Sequence, residues 1–211
     1  MTDIAVIDYG MGNLRSVSKA IEHVAPRLTV TVTSDPEVVR RAGRVVFPGQ
    51  GAMPDCMREL DARGLRTAVL NAARNKPFLG ICIGLQMLFD YSEEGNVPGL
   101  SVLPGKVVRF ASNLRDAQGN KLKVPHMGWN QVHHAEHPLW QGIPQDARFY
   151  FVHSYYVQPQ DDALVQATSC YPQPFVCAVA RENLFAVQFH PEKSQSAGLA
   201  LLRNFVKWNP V

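Results

Sequence analysis

Residues 78–89 read FLGICIGLQMLF, and this pattern decides the fold that we expect. A short apolar run reaches Gly80, a single cysteine follows at Cys82, and Gly84 stands before a second apolar run. Gly-x-Cys-x-Gly between a strand and a helix is the cysteine form of the nucleophile elbow. Side chains two residues either side of the nucleophile would collide in so tight a turn, which explains the glycines. The pattern predicts a strand that delivers Cys82 at its carboxyl end and a helix that starts directly after it.

Cys82 is therefore a candidate nucleophile. The N-terminus of a helix offers unpaired N–H groups and the positive end of the helix dipole, and both favour a thiolate. The thiolate is the reactive form of a cysteine. The alternative is a structural cysteine in an ordinary turn, because strand–glycine–helix turns are common in α/β proteins. The elbow alone leaves both interpretations open.

Before the elbow, apolar strand patterns alternate with helical patterns. The strand candidates are residues 4–7, 28–33 and 44–47. Such alternation predicts a parallel sheet covered by helices. Ligands of these sheets bind beyond the carboxyl ends of the strands, and residues 8–13, residues 48–51 and Cys82 are all expected there.

After residue 89 the pattern changes to short strands separated by turn signals. The strand candidates are residues 106–110, 130–133, 149–152, 163–167, 175–180 and 184–189. This part is predicted to be partly antiparallel, and residues 194–208 to form a closing helix. The expected fold class is α/β: a mixed, mostly parallel central sheet flanked by helices, with an additional antiparallel, strand-rich part. A length of 211 residues fits one domain over residues 1–211.

Composition narrows the function classes. The chain is 46% hydrophobic and 18% charged with a net charge of +3, which does not indicate nucleic acid or membrane as a partner. Lys and Arg are scattered without interleaved aromatic residues, which also argues against nucleic acid. No apolar run reaches the roughly 18 residues of a membrane span, and the N-terminus lacks a signal-peptide pattern. The four cysteines do not resemble a disulfide framework, so we expect a cytoplasmic protein with reduced thiols.

Cofactor and metal patterns are weak. Gly10 and Gly12 begin a dinucleotide fingerprint, but Arg15 stands where its third glycine would fall. The histidines at 133, 134 and 137 lack a second cluster, so we interpret them as surface or loop residues and predict no metal. Cys170 and Cys177 are interpreted as buried apolar side chains. We expect no cofactor.

A second chemical motif, AVQFHPEKS, occupies residues 186–194. A strand delivers His190 at its end, and Glu192 follows two positions later. A catalytic cysteine needs a base that takes and returns a proton, and a carboxylate that orients this base. Cys82, His190 and Glu192 supply these three roles. Glu192 has an alternative interpretation, as an ordinary acid in the first turn of a helix.

The loop Pro48-Gly49-Gln50-Gly51 follows the third predicted strand. Two glycines let backbone N–H groups approach a ligand closely, as an oxyanion site requires. The alternative is a plain turn, because Pro-Gly pairs usually mark turns.

Together these motifs resemble those of the triad, or class I, glutamine amidotransferases. The resemblance rests on residues 80–86 (GICIGLQ), 188–192 (QFHPE) and 48–51 (PGQG). It implies that Cys82 attacks the side-chain amide of L-glutamine, with His190 and Glu192 completing a triad. It also assigns the remaining site residues, which are Gly49, Gln50, Gly51 and Ile83 for the oxyanion hole and Gln86, His153, Ser154 and Tyr155 for substrate binding.

A narrower resemblance is to the glutaminase subunits of imidazole glycerol phosphate synthase. It rests on residues 8–13 (DYGMGN), 125–130 (PHMGWN) and 150–155 (YFVHSY), and on Lys193-Ser194 after Glu192. It implies a heterodimer with a (β/α)₈ cyclase that receives ammonia. By this resemblance the partner-facing residues are Asn13, Met127, Trp129 and Lys193. The alternatives are core packing for Met127 and Trp129 and a solvated charge for Lys193.

One residue departs from the resemblance, and two other functions stay open. Gln50 stands between two glycines where the subunits usually have a small apolar residue, so the oxyanion loop is expected to be tuned differently.

A stand-alone amidase or γ-glutamyl hydrolase would be fully active without a partner. A non-catalytic binding subunit with a structural Cys82 would tolerate Cys82→Ala without loss.

Overall fold

The structure, a computed structural model, describes residues 2–210. These residues form thirteen strands in one sheet, namely β1 (Ile4–Ile7), β2 (Val30–Thr33), β3 (Arg44–Gly49), β4 (Phe78–Cys82), β5 (Phe89–Ser92), β6 (Val97–Pro98), β7 (Leu103–Arg109), β8 (His126–His134), β9 (Ala147–His153), β10 (Tyr155–Pro159), β11 (Val165–Cys170), β12 (Pro174–Arg181) and β13 (Leu184–Val187). The α-helices are α1 (Leu14–Val24), α2 (Pro36–Arg41), α3 (Met53–Ala62), α4 (Arg66–Asn75), α5 (Ile83–Gln86) and α6 (Gln195–Lys207). Short 3-10 helices span Pro138–Trp140, Asp162–Leu164 and Pro191–Lys193.

The first half of the sheet is parallel. Its strand order is β2-β1-β3-β4-β13, and all four neighbouring pairs run in the same direction. Every residue of β1, β4 and β13 is buried, as expected for continuous apolar runs with both sheet faces covered. Strands β4 and β13 are neighbours, so their carboxyl ends place Cys82 and the segment that carries His190 at one edge.

The second half is mainly antiparallel. From β13 the order continues through β12, β10, β7, β5 and β6, and only β5 and β7 pair in parallel there. Strands β11, β8 and β9 branch from β12 and pair antiparallel. The expected mixed sheet with an added antiparallel part is confirmed.

Helix ends follow their capping residues. The Asn13 side chain accepts a hydrogen bond from the Ser16 N–H and caps α1, and Asp35 does the same for the Glu37 N–H at the start of α2. Pro36 occupies the first turn of α2, where its missing N–H costs no helical hydrogen bond. Helix α1 packs against α6, and α2 packs against α4.

One apolar core extends through both halves of the sheet. Its largest fully buried side chains include Tyr9, Phe47, Phe78, Phe149 and Phe189. The rings of Phe149 and Phe189 lie 4.2 Å apart, so the segment directly before His190 is packed against β9. Burial of such large apolar groups is the main favourable term in folding.

The helix predicted to start after Cys82 is present but short. Helix α5 ends at Gln86, and Phe89 already begins strand β5. The backbone N–H of Leu100 donates to the Met87 carbonyl and that of Val102 to the Leu88 carbonyl, so these carbonyls serve sheet-like pairing. The positions after Gly84 are buried on all sides through Phe89, which removes the polar face that a surface helix needs.

Three further expectations are wrong. Pro48 and Gly49 belong to strand β3 rather than to a turn, because Gly49 still pairs with Cys82 in register. Strands β5, β6 and β10 were not expected from the sequence pattern. Cys170 is exposed, whereas Cys177 is buried as expected, and all four cysteines are free. Within residues 2–210, no helix has the length and apolar character needed to cross a membrane.

Candidate active site

Cys82 sits in a strained turn between β4 and α5. Its backbone has φ 56° and ψ −112°, a combination that non-glycine residues rarely adopt and that typically costs about 1–3 kcal/mol. A Cβ added to Gly80 would lie 2.9 Å from the Ala186 Cβ and 3.2 Å from the Gly84 carbonyl oxygen. A Cβ on Gly84 would collide with the Phe47 carbonyl. Both glycines of the predicted elbow are therefore required, as much by the adjacent strands as by each other.

His190 and Glu192 form a buried pair behind the cysteine. The Nδ1 atom of His190 lies 3.0 Å from Oε1 of Glu192, and the two side chains are only 3% and 1% exposed. The carboxylate can only accept, so Nδ1 carries a proton and donates it to Glu192. The imidazole is thereby oriented with Nε2 as its second functional atom.

The backbone around His190 is fixed by Ser194. The Ser194 hydroxyl donates to the His190 carbonyl at 2.6 Å and accepts from the Tyr150 N–H at 3.0 Å. The His190 N–H in turn donates to the Tyr150 carbonyl at 2.9 Å. These bonds hold the start of the Pro191–Lys193 helix against β9 and position the imidazole.

Electrostatics favour a charged imidazole at this site. Burial alone lowers the pKa of His190, but the Cys82 sulfur and then Glu192 outweigh it and raise this pKa to about 10. Among the residues that the structure describes, Nε2 of His190 has no hydrogen-bond partner of ordinary geometry. The interactions with Cys82 and Glu192 together outweigh the effect of burial, so the site favours the imidazolium over the neutral ring.

The end of β3 and the loop that follows it lie against the elbow. Gly49 is the register partner of Cys82, and a Cβ at Gly49 would lie 2.9 Å from the Ile83 Cβ and 3.2 Å from the Gly84 nitrogen. Gly51 has φ 107°, a conformation that favours glycine. The structure thus brings the predicted oxyanion residues Gly49, Gln50, Gly51 and Ile83 into one group. Their roles stay a prediction.

A cavity of about 180 Å³ opens beside the cysteine. Its lining contains Cys82 and all four predicted substrate residues, and consists of Gln50, Gly51, Cys82, Ile83, Gln86, Glu94, Pro125, Val152, His153, Ser154 and Tyr155. The volume is below the range typical of sites for drug-sized ligands, which is consistent with a small metabolite.

Two polar groups near the nucleophile were missed from the sequence. Glu94 lines the cavity and accepts a hydrogen bond from the Met53 N–H at 2.9 Å, and burial raises the pKa of its carboxyl group. Gln188 is fully buried and places its Nε2 atom 3.8 Å from the Cys82 Sγ. Gln188 stands in the second motif, but nothing in the pattern indicates that its side chain turns toward Cys82.

The predicted partner-facing residues differ in their exposure and contacts. Met127 is 62% exposed and Trp129 is 43% exposed, so their alternative as core residues is wrong. The Trp129 ring packs edge-on against Tyr150, and the Lys193 Nζ lies 5.9 Å from the Tyr150 ring centroid. The Asn13 side chain caps α1, which gives it a structural role.

Two of these histidines, His134 at the end of β8 and His137 after it, serve packing and capping in this structure. His134 stacks on Trp140 with ring centroids 4.7 Å apart, and His137 caps the Pro138–Trp140 helix. Within residues 2–210, no group of three His, Cys, Asp or Glu side chains is placed to hold a metal ion.

A sequence model of the family described as Glutamine amidotransferase class-I matches residues 5–208. The chain belongs to the class-I glutamine amidotransferases. Solved structures support the amidotransferase fold: one described as a glutamine amidotransferase covers 97% of this chain and 97% of its own at TM-score 0.73 and 17% identity. A second, described as a glutamine amidotransferase from Thermotoga maritima, covers 90% of this chain and 76% of its own at TM-score 0.60 and 18% identity.

Closer sequence relatives have a narrower name. The imidazole glycerol phosphate synthase subunit HisH of Nitrosospira multiformis is 69% identical over 100% of both chains. That of Thiobacillus denitrificans is 69% identical over 99% of this chain and 92% of its own. That of Neisseria gonorrhoeae is 56% identical over 97% of this amidotransferase and 99% of its own.

Proposed function

We propose that this chain is the glutaminase subunit of an imidazole glycerol phosphate synthase, and that it passes ammonia to a (β/α)₈ cyclase subunit. The observation that carries the proposal is the Cys82 elbow, which lines a small cavity and interacts with the buried His190–Glu192 pair. The full-length similarity to HisH subunits supports the same assignment as a subunit of imidazole glycerol phosphate synthase.

The proposed reaction starts with the Cys82 thiolate. The sulfur attacks the side-chain amide carbon of L-glutamine, and the carbonyl oxygen becomes an oxyanion held by backbone N–H groups of Ile83 and the Gly49–Gly51 loop. The His190 imidazolium then gives its Nε2 proton to the departing nitrogen, which leaves as ammonia. A γ-glutamyl thioester on Cys82 remains.

Hydrolysis of the thioester completes the cycle. Neutral His190 takes a proton from water through Nε2, and the hydroxide attacks the thioester carbon. Collapse of the second tetrahedral intermediate releases glutamate and regenerates the thiolate and the imidazolium. Glu192 keeps the imidazole in the required tautomer throughout.

Selection of glutamine as the substrate is proposed to rest on hydrogen-bond acceptors in the cavity. The Gln86 amide nitrogen donates to the Tyr155 carbonyl and to Gln188, which leaves Gln86 Oε1 buried without a partner among the described residues. Glu94 adds a carboxyl group to the same cavity. Acceptor atoms in this position suit the α-ammonium group or the amide N–H groups of glutamine, while backbone groups of residues 153–155 complete the contact.

The partner is proposed to dock on the exposed part of β8. Met127 and Trp129 are side-chain types that are enriched at protein interfaces, and both protrude from one strand. Transfer within a complex has a chemical reason, because ammonia released into water becomes ammonium, which is not a nucleophile. Lys193 and Asn13 are proposed to contribute at the edges of this surface.

Glutamate release from L-glutamine tests the function. We expect low activity for the purified chain alone and strong stimulation by the cyclase with its ribonucleotide ligand, because we propose that partner and ligand shift residues 49–51 toward the conformation that is competent for catalysis. Cys82→Ala is the control and should show neither activity. Equal activity with and without the cyclase would favour a stand-alone amidase. Unchanged activity in Cys82→Ala would exclude the triad.

A further inference from the structure

A short series of buried amide groups leads to the nucleophile. The Nε2 atom of Gln188 lies 3.8 Å from the Cys82 Sγ, within the range of a hydrogen bond to sulfur. The Oε1 atom of Gln188 accepts from the Gln86 Nε2 at 3.0 Å. Gln188 is 0% exposed, so water does not compete for either contact.

The Tyr155 carbonyl fixes the direction of these bonds. A backbone carbonyl can only accept, and the Gln86 Nε2 lies 3.1 Å from it, so Gln86 must direct its NH₂ group toward Tyr155. The same NH₂ group contacts Gln188, which must therefore present its oxygen to Gln86. The NH₂ group of Gln188 is left to face Cys82. A flipped Gln188 would oppose two NH₂ groups and turn an oxygen toward the sulfur.

The carbonyl that sets this direction is itself held. The His153 Nδ1 donates to it at 2.8 Å, so both of its lone pairs are used. His153 then has only Nε2 as an acceptor, which lies 3.0 Å from the His126 Nδ1. Burial lowers the pKa of His153 to about 3 and that of His126 to about 4, so both rings are neutral near pH 7 and the direction stays unique.

We propose that Gln188 is a positioning residue that donates a hydrogen bond to the Cys82 sulfur, with Gln86 setting the orientation of its amide. The bond stabilises the thiolate over the thiol and holds the sulfur toward the cavity. Gln86 consequently has two roles, because its nitrogen orients Gln188 while its oxygen remains for the substrate. The inference rests on the proposed function in one respect, namely that Cys82 is the nucleophile.

The alternative is that Gln188 only joins β13 to the elbow. Gln188→Glu separates the two, since it keeps the shape and the acceptor for Gln86 but replaces the donor with an oxygen. Gln188→Met, which has similar volume and no polar amide, serves if the glutamate variant does not fold. Gln158→Glu is the matched control, because Gln158 is exposed on β10.

The first readout is the pH profile of Cys82 alkylation by iodoacetamide, followed by peptide mass spectrometry. Loss of a hydrogen bond to a charged group should move the midpoint of this profile to higher pH by about one unit or more in both Gln188 variants. The second readout is glutamate release in the complex with the cyclase, where kcat should fall about tenfold or more with KM changed less. The Gln158 control should match the wild-type chain in both.

The outcomes separate the two proposals. Variants that melt at a lower temperature but keep the wild-type alkylation profile would overturn the role of Gln188. A shifted profile together with a wild-type chain that releases no glutamate in any mixture would support Gln188 and overturn the proposed function instead.

Discussion

The Glu192→Gln variant tests how the imidazole is held. Glu192 Oε1 accepts from the His190 Nδ1 at 3.0 Å, both side chains are almost fully buried, and the second carboxylate oxygen of Glu192 has no partner among the described residues. The pair is thus one charge-assisted hydrogen bond without further support. A hydrogen bond to a charged group contributes about 1.5–3 kcal/mol, which corresponds to about one to two pKa units.

The glutamine variant keeps the shape and loses the charge. The pKa of His190, raised to about 10 by Cys82 and Glu192 against burial, should fall by about one to two units. The imidazolium is the proton donor to the departing nitrogen, so the alkaline limb of the pH–rate profile must move to lower pH. If the lost interaction is expressed in the transition state, kcat falls about 10- to 150-fold.

The assay is glutamate release in the presence of the cyclase and its ligand, measured from neutral pH to beyond the wild-type limb that is expected near pH 10. Glu136→Gln is the control, because Glu136 is exposed and should leave the profile unchanged. An alkaline limb that stays in place in Glu192→Gln, or a kcat within twofold of the wild type, would refute the assignment of Glu192 as the partner of His190.

Three further results are expected. Gly84→Ala should lower the free energy of unfolding in urea by several kcal/mol, because its Cβ would meet the Phe47 carbonyl. Gly64→Ala is the control and should lower it by only about 1 kcal/mol, because an added Cβ would meet nothing within 4 Å and only the positive φ opposes alanine; equal losses in the two variants would contradict the close approach at Gly84. Replacing both Met127 and Trp129 with alanine should abolish stimulation by the cyclase and leave the basal glutaminase rate unchanged, and a wild-type degree of stimulation would move the docking surface elsewhere. Folding raises the pKa of His190 from 6.5 to about 10, so the stability that this shift contributes is fully present below pH 6.5 and is lost as pH rises through about 10. The urea concentration at the midpoint of unfolding should therefore fall over this pH range, and a midpoint that does not change with pH would contradict the raised pKa.

The parallel half of the fold was predictable because burial on both faces leaves continuous apolar runs. Residues 4–7 and 44–47 show this pattern, and the structure places strands β1 and β3 there. The elbow could be located because close contacts of the backbone require glycine at two fixed positions around Cys82, and few other sequences have this pattern. The meeting of the site residues at the carboxyl edge of the sheet could be predicted because ligands generally bind at that edge of parallel sheets.

The remaining features depend on contacts between distant segments. The run after Gly84 looks helical in isolation, but the Leu100 and Val102 N–H groups capture the carbonyls of Met87 and Leu88 and end the helix. The direction of the Gln188 amide depends on a carbonyl of β10, a strand that the pattern did not indicate. The exposure of Trp129 could not be read from its apolar character, since only the pairing of β8 with β9 shows which face it occupies.

The most direct test of the proposed function is the stoichiometry of glutamate and imidazole product in the complex with the cyclase. If Cys82 generates the ammonia that the cyclase uses, one glutamate should form for each imidazole product, and Cys82→Ala should form neither from glutamine. Added ammonium salt should restore the imidazole product in that variant without glutamate. Formation of the imidazole product from glutamine by Cys82→Ala would show that ammonia comes from another site and would contradict the mechanism.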